Sequence, residues 1–123
     1  MNQLTRPVWV DINLDHLAHN IKEVKRVVSN GALVTAVIKA DGYGHGAVQI
    51  GKTLLENGAD RFAVATLSEA MQLKGAFPQV PVMVLGYTPD EMIDKAIENQ
   101  IIQTLFSLEQ AVYFNTQIGR AHV

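Results

Sequence analysis

Val34-Thr35-Ala36-Val37-Ile38-Lys39-Ala40-Asp41-Gly42-Tyr43-Gly44-His45-Gly46 is the stretch whose reading decides the fold of this chain. Its first part is short, apolar and rich in β-branched residues, the composition of a buried strand of a parallel sheet. The run ends on Lys39. A loop carrying Gly42, Gly44 and Gly46 follows, and a helical spacing of apolar residues resumes at Ala47. Strand, glycine loop and helix in that order make one βα unit, and in β/α folds ligands bind where strands hand over to loops. A lysine there is expected to have a stem sheltered from water and an amine directed into a pocket the glycines open. That setting suits an amine that condenses with a carbonyl.

Similar units extend from this one in both directions. Upstream, Val8 to Ile12 reads as a strand, and Asn13 is an N-cap for a helix with Leu14, Leu17, Ile21, Val24 and Val28 at spacings of three and four, ended before Gly31. The decisive strand is expected over Leu33 to Ile38, and the helix behind it from Ala47 to Glu56, stopped by Gly58. Phe62 to Ala65 is the next strand, with Thr66 and Glu69 as a capping-box pair for a helix running toward Gly75. Val82 to Leu85 is another, and Thr88-Pro89-Asp90-Glu91 reads as a helix start with cap, first-turn proline and acid in order. Ile101 to Leu105 is the fourth strand of this series. Ser107 and Gln110 cap the helix behind it, Gly119 is expected to close that helix, and Ala121-His122-Val123 reads as a further strand beginning.

Four βα units in a row build either an open doubly wound sheet or part of a (β/α)8 barrel. A whole barrel takes about 250 residues. With 123 residues and a fifth barrel strand just starting, the expectation is an α/β chain forming the N-terminal half of a (β/α)8 TIM-like barrel. It is read as truncated, a single incomplete domain over residues 1–123, with a compact open sheet as the alternative.

Composition narrows the function classes. A hydrophobic fraction of 48% supplies a core, and a charged fraction of 18% argues against disorder. A net charge of -2 gives no basic footprint for nucleic acid or an anionic membrane. The absence of cysteine excludes disulfides, thiolate metal sites and a cysteine nucleophile. Met-Asn-Gln-Leu-Thr-Arg-Pro lacks the apolar run of a signal peptide, and no apolar stretch approaches membrane-spanning length, so a cytoplasmic protein is expected.

Lys39 leads the candidate site residues, although a strand-end lysine is also commonly just solvated. Tyr43, between Gly42 and Gly44, could offer its hydroxyl to a phosphate or carboxylate, or pack its ring over the mouth of the sheet. Asp41 and His45 could orient a neighbour or form the turn, and turn formation suits Asp41 better. His16 and His19 fall on the polar side of the first helix, and no His/Asp/Glu spacing makes a metal site. Gly46-Ala47-Val48-Gln49-Ile50-Gly51-Lys52-Thr53 satisfies the P-loop expression. A P-loop needs its strand to end at the first glycine, whereas this strand ends at Lys39 and the interior residues have helical spacing. The match is read as chance, with Lys52 as an exposed helix residue.

Ala36-Val37-Ile38-Lys39-Ala40-Asp41-Gly42-Tyr43-Gly44-His45-Gly46 resembles the cofactor-attachment motif of the alanine racemases, pyridoxal-phosphate enzymes that interconvert L- and D-alanine. Further similarities run through Trp9-Val10-Asp11-Ile12-Asn13-Leu14-Asp15, Phe62-Ala63-Val64-Ala65-Thr66 with Glu69-Ala70, and Val84-Leu85-Gly86-Tyr87-Thr88. The resemblance implies pyridoxal 5′-phosphate held as a Schiff base on Lys39, which then acts as the base on the D-alanine face. It implies that Tyr43 hydrogen-bonds the cofactor phosphate and that Leu85 forms part of the pocket wall. It also implies alanine as substrate, a homodimer, and a first strand around Trp9 that pairs with a β-rich C-terminal domain.

The same resemblance marks what these residues lack. In that family the second base is a tyrosine from a C-terminal domain of the partner subunit, and the group facing the pyridine nitrogen comes from later barrel strands. A chain with one base of two is expected to be a poor catalyst by itself, and to be left as a cofactor-binding fragment. Four strands with open edges and an uncovered inner face also predict marginal stability and association.

Overall fold

Asn13 starts the first element as its spacing requires: its Oδ1 accepts the His16 N–H at 3.1 Å, satisfying one of the free amides of helix α1, Leu14–Val27. The computed structural model describes residues 10–121. After α1 come strand β1 (Thr35–Val37), a single turn α2 (Lys39–Tyr43), helix α3 (Ala47–Asn57), β2 (Arg61–Val64), α4 (Leu67–Ala76) and β3 (Val82–Val84). A 3-10 turn at Asp90–Met92 leads into α5 (Ile93–Glu98), followed by β4 (Ile102–Gln103) and α6 (Leu108–Ala121).

The strands form one parallel sheet in the order β1-β2-β3-β4, with Val37 level with Ala63, Ala63 with Met83, and Met83 with Ile102. Side chains alternate between the two faces of a strand. On one face Ile38, Phe62, Val64, Val82 and Val84 are buried in a single core with Ile21 of α1, Ile50 and Leu54 of α3, and Ala70 and Leu73 of α4. Burying such side chains stabilises by roughly 1.5–3 kcal/mol each. Phe62 anchors the centre, its ring 5.8 Å from that of Phe77, and Gly51 of α3 lies against both rings. Val37 and Ile102 alternate to the other face and are exposed there, with Met83 half-buried between them and Ala63 sheltered by its small size. A doubly wound sheet carries helices on both faces. A sheet in sequence order with its helices on one face is instead four consecutive units of a (β/α)8 barrel. The open-sheet alternative is excluded.

Several expectations are corrected in detail. The first strand lies partly outside the described residues, and Val10–Ile12 are not in a strand. Thr88 does not cap a helix: it is 1% exposed, and its hydroxyl donates to Gln103 Oε1 at 2.6 Å. Pro89 stays extended, so helical geometry begins only at Asp90. Gly119 does not end the last helix, which continues through Ala121 in place of a new strand. His122 and Val123 lie outside the described residues. The capping box of α4 forms as expected, and Ser107 Oγ accepts the Gln110 N–H at 3.0 Å.

Candidate functional site

The C-terminal edge of the sheet gathers the sequence-derived candidates. Ile38 N–H donates to Ala63 O at 2.9 Å and Leu85 N–H to Val64 O at 2.8 Å, so Lys39 and Leu85 leave the ends of β1 and β3 on either side of Ala65. Leu85 is 39% exposed at that edge. The next residue, Gly86, donates to Ala65 O at 3.1 Å, and a side chain on it would collide with that same carbonyl. Only glycine brings the β3 loop this close to the end of β2.

Lys39 itself is exposed, as is Tyr43, at 56%. The sheltered stem expected for Lys39 is therefore not found. The buried core, with α1, α3 and α4, lies on one face of the sheet and does not include Lys39.

The loop behind Lys39 winds left-handed. Ala40, Asp41 and Tyr43 have φ of 53°, 53° and 58°, with Gly42 at 67° and Gly44 at 85°. Each non-glycine residue in that region costs roughly 1–2 kcal/mol, and such strain persists only where surrounding contacts impose it. Those contacts are present. Gly42 N–H donates to Ile38 O and Gly44 N–H to Ala40 O, both at 2.9 Å, and Gly46 N–H donates to Asp41 O at 2.8 Å. Asp41 Oδ1 accepts the Ala47 N–H at 2.8 Å, so this carboxylate forms the turn, as anticipated, and caps α3. Glu69 Oε2 accepts the Ala40 N–H at 2.5 Å.

That last contact is absent from the sequence reading, which saw Glu69 only as a capping residue. Its Oε1 does close the capping box, accepting Ala65 N–H and Thr66 N–H at 3.0 Å each. Partial burial alone would raise the carboxyl pKa, but the N–H donors of Ala40, Ala65 and Thr66 and the Thr66 hydroxyl outweigh it and hold it below the ordinary glutamate value. No sequence spacing links residues 40 and 69. The only signal was the capping box itself, which puts a carboxylate at the end of β2.

The P-loop alternative fails on geometry. Gly46 is the residue before α3, Asp41 takes the Ala47 N–H, and Ile50 N–H donates to Gly46 O at 3.0 Å, so the residues that would wrap a phosphate instead form the first turn of a helix. Lys52 is exposed on α3, 4.0 Å from Glu56. His45, His16 and His19 are exposed as well. A surface hollow beside Ile97, Ile101 and Ile118, between α5 and α6, lies at the start of β4 and away from the C-terminal strand ends.

A primary amine that can condense with an aldehyde stands at the C-terminal edge of the sheet, with a phenol that can donate to a phosphate in the loop behind it and the apolar Leu85 at the same edge. The family model of the alanine racemase N-terminal domain matches residues 12–122. The chain belongs to this family. Alanine racemase 1 of Clostridium acetobutylicum is 47% identical over 106 residues, which cover 86% of this chain and 27% of that protein. The alanine racemase of Clostridium novyi is 45% identical over 117 residues, covering 95% of this chain and 30% of its own length. Among solved structures, the alanine racemase of Clostridium difficile superposes with a TM-score of 0.87 at 38% identity, over 98% of this chain and 32% of that one. The same racemase in complex with cycloserine gives the same agreement. The alanine racemase-like chain described here thus spans between 27% and 32% of the length of these relatives.

Proposed function

We propose that this chain carries the Schiff-base lysine of a pyridoxal-phosphate-dependent alanine racemase, and that the reaction it serves interconverts L- and D-alanine, supplying D-alanine for cell-wall synthesis. The observation that carries the reading is the position of Lys39. It stands at the C-terminal edge of a barrel-type sheet, at the entry to a strained glycine loop, in a chain of the alanine racemase family. Residues 1–123 make up the first part of the cofactor-binding barrel, a single domain-level unit of a cytoplasmic homodimer.

Bound pyridoxal phosphate supplies the electron sink that makes the substrate Cα–H acidic. The chain's own residues do the rest. Lys39 would hold the cofactor through Nζ and, with substrate bound, would take or return the Cα proton on the D-alanine face. Tyr43 would hold the cofactor phosphate by a hydrogen bond from its hydroxyl, and Leu85 would form part of the apolar pocket wall. The exposure of Lys39 and Tyr43 leaves both side chains accessible to a ligand.

Racemisation needs a base on each face of Cα, and the second, a tyrosine, is assigned by family resemblance to a C-terminal domain of the partner subunit. The second reading is a cofactor-binding chain without turnover. Mixing the chain with pyridoxal phosphate, reducing with borohydride and mapping the label separates the outcomes. Label on Lys39 alone is expected. Label chiefly on Lys52, or none, overturns the cofactor assignment, and racemisation of alanine by the purified chain overturns the reading without turnover.

A further inference from the structure

We propose that Glu69 is a positioning residue for Lys39: its carboxylate ties the amide of Ala40 to the start of α4 and so fixes where the Lys39 amine stands at the sheet edge. The inference rests on the reading of Lys39 as the cofactor-bearing amine and adds to it the group that holds that amine in place.

The geometry separates this role from helix capping. A capping box uses the side chain of the third helical residue to accept the amide of the cap residue. Glu69 does this with Oε1, which takes the N–H groups of Ala65 and Thr66 at 3.0 Å. Its Oε2 is left over for the helix and reaches across to the Ala40 N–H at 2.5 Å. Ala40 is the residue directly after Lys39 and the first of the left-handed run, with φ of 53°. At the far end of the loop Asp41 Oδ1 holds the Ala47 N–H at 2.8 Å. Two carboxylates therefore pin the turn at its two ends, and the one next to Lys39 comes from a different βα unit. Because Glu69 is anchored to Ala65 and Thr66, the residues directly after β2, the tether refers the position of Lys39 to the end of the neighbouring strand, across which Leu85 follows from β3.

Two substitutions distinguish positioning from stability. Glu69→Gln retains one acceptor oxygen, enough for the cap, and turns an NH2 group toward the Ala40 amide, which then has no acceptor. Thr66→Ala removes the hydroxyl that accepts the Glu69 N–H and donates to Glu69 Oε1, both at 3.3 Å, and leaves in place the Oε2 that accepts the Ala40 N–H. The measurement is the rate of borohydride-fixed pyridoxal phosphate labelling at Lys39 relative to Lys52 in the full chain, beside amide hydrogen exchange at Ala40. Losing one charge-assisted hydrogen bond is expected to lower the Lys39 to Lys52 ratio about tenfold in Glu69→Gln, the factor that corresponds to about 1.4 kcal/mol. Ala40 exchange accelerates in the same variant, and Thr66→Ala changes neither readout. Equal effects of the two substitutions, or unchanged labelling and exchange in Glu69→Gln, overturn the proposal. If the parent chain takes no label at Lys39, the functional reading falls. The tether is then judged on Ala40 exchange and on the Lys39 to Lys52 ratio with acetic anhydride, with the same outcomes deciding it.

Discussion

Gly42 shows how much of the site depends on single backbone positions. It is buried at φ 67°, and a Cβ there would stand 2.5 Å from Ile50 Cδ1 of α3. The two penalties of Gly42→Ala differ in kind. Ile50 can swing its terminal methyl aside, but the left-handed backbone strain has no such relief. The substitution is expected to destabilise by about 1–2 kcal/mol, read as a lowered urea midpoint. Adding Ile50→Val to both parent and variant should leave most of that difference in place. A Gly42→Ala chain with the parental midpoint would contradict the left-handed turn. The glycines of this loop were legible in sequence because they punctuate it, and Asp41 was legible as a turn former. The left-handed conformation of Ala40 and Tyr43 was not. The loop's own hydrogen bonds share in imposing it, and at Ala40 so does a carboxylate 29 positions away at Glu69, which leaves no local pattern.

At the scale of elements, what was legible depended on whether the partner of a polar residue is local. Asn13, Thr66 with Glu69, and Ser107 satisfy amides within one turn, and all three caps form where the sequence pattern puts them. Thr88 has the same local signature and fails, because Gln103 of β4 offers its buried hydroxyl an acceptor at 2.6 Å. Gln103 in turn donates to Gly86 O at 3.0 Å, which ties the loop behind Leu85 to the next strand. Asp60 is a second such joint. Its Oδ2 accepts from Lys25 Nζ at 2.6 Å and from Val34 N–H at 2.7 Å, so one carboxylate binds α1 and the approach to β1 to the start of β2. The Lys25 hydrogen bond, aided by the Val34 amide, lowers the Asp60 pKa from its ordinary value. A carboxyl with a folded pKa below its unfolded one contributes stability above the unfolded value, and that contribution is lost as pH falls through the folded value. Glu69 acts in the same direction. Denaturant midpoints should therefore fall with pH below about 4, where free carboxyls begin to protonate. Asp60→Asn should flatten this acid limb in part, and a limb parallel to the parent's would remove Asp60 from the account. The pair is partly open to solvent, so the difference should shrink at high salt.

The whole molecule combines a well-filled core on one face of the sheet with little cover on the other. The recurrence of βα units was legible from the spacing of apolar runs and turn residues. The apolar run of β1 suggested burial on both faces, yet only one face is covered here, and sequence composition does not distinguish a covered face from one awaiting a partner. Val37, Leu85 and Ile102 are exposed on or beside the bare face, and past β4 Leu105, Phe106 and Leu108 are exposed too, the last at 80%. Among the described residues β1 and β4 are the edge strands. Unpaired edges flanked by apolar surface recruit other chains, and a charged side chain on an edge discourages this. The chain alone is accordingly expected to associate as its concentration rises through the micromolar range, on the order of 1–100 μM, where such surfaces drive aggregation. Sedimentation velocity over that range should show a rising average mass together with a broad thermal transition. Ile102→Lys, on the β4 edge, should move the onset of association to higher concentration with little change in helical circular dichroism, because Ile102 lies outside the buried core. A monomer at all concentrations with a sharp cooperative melt would mean that the bare face needs no partner. An Ile102→Lys chain that associates like its parent would shift the contact to the apolar segment from Leu105 to Leu108.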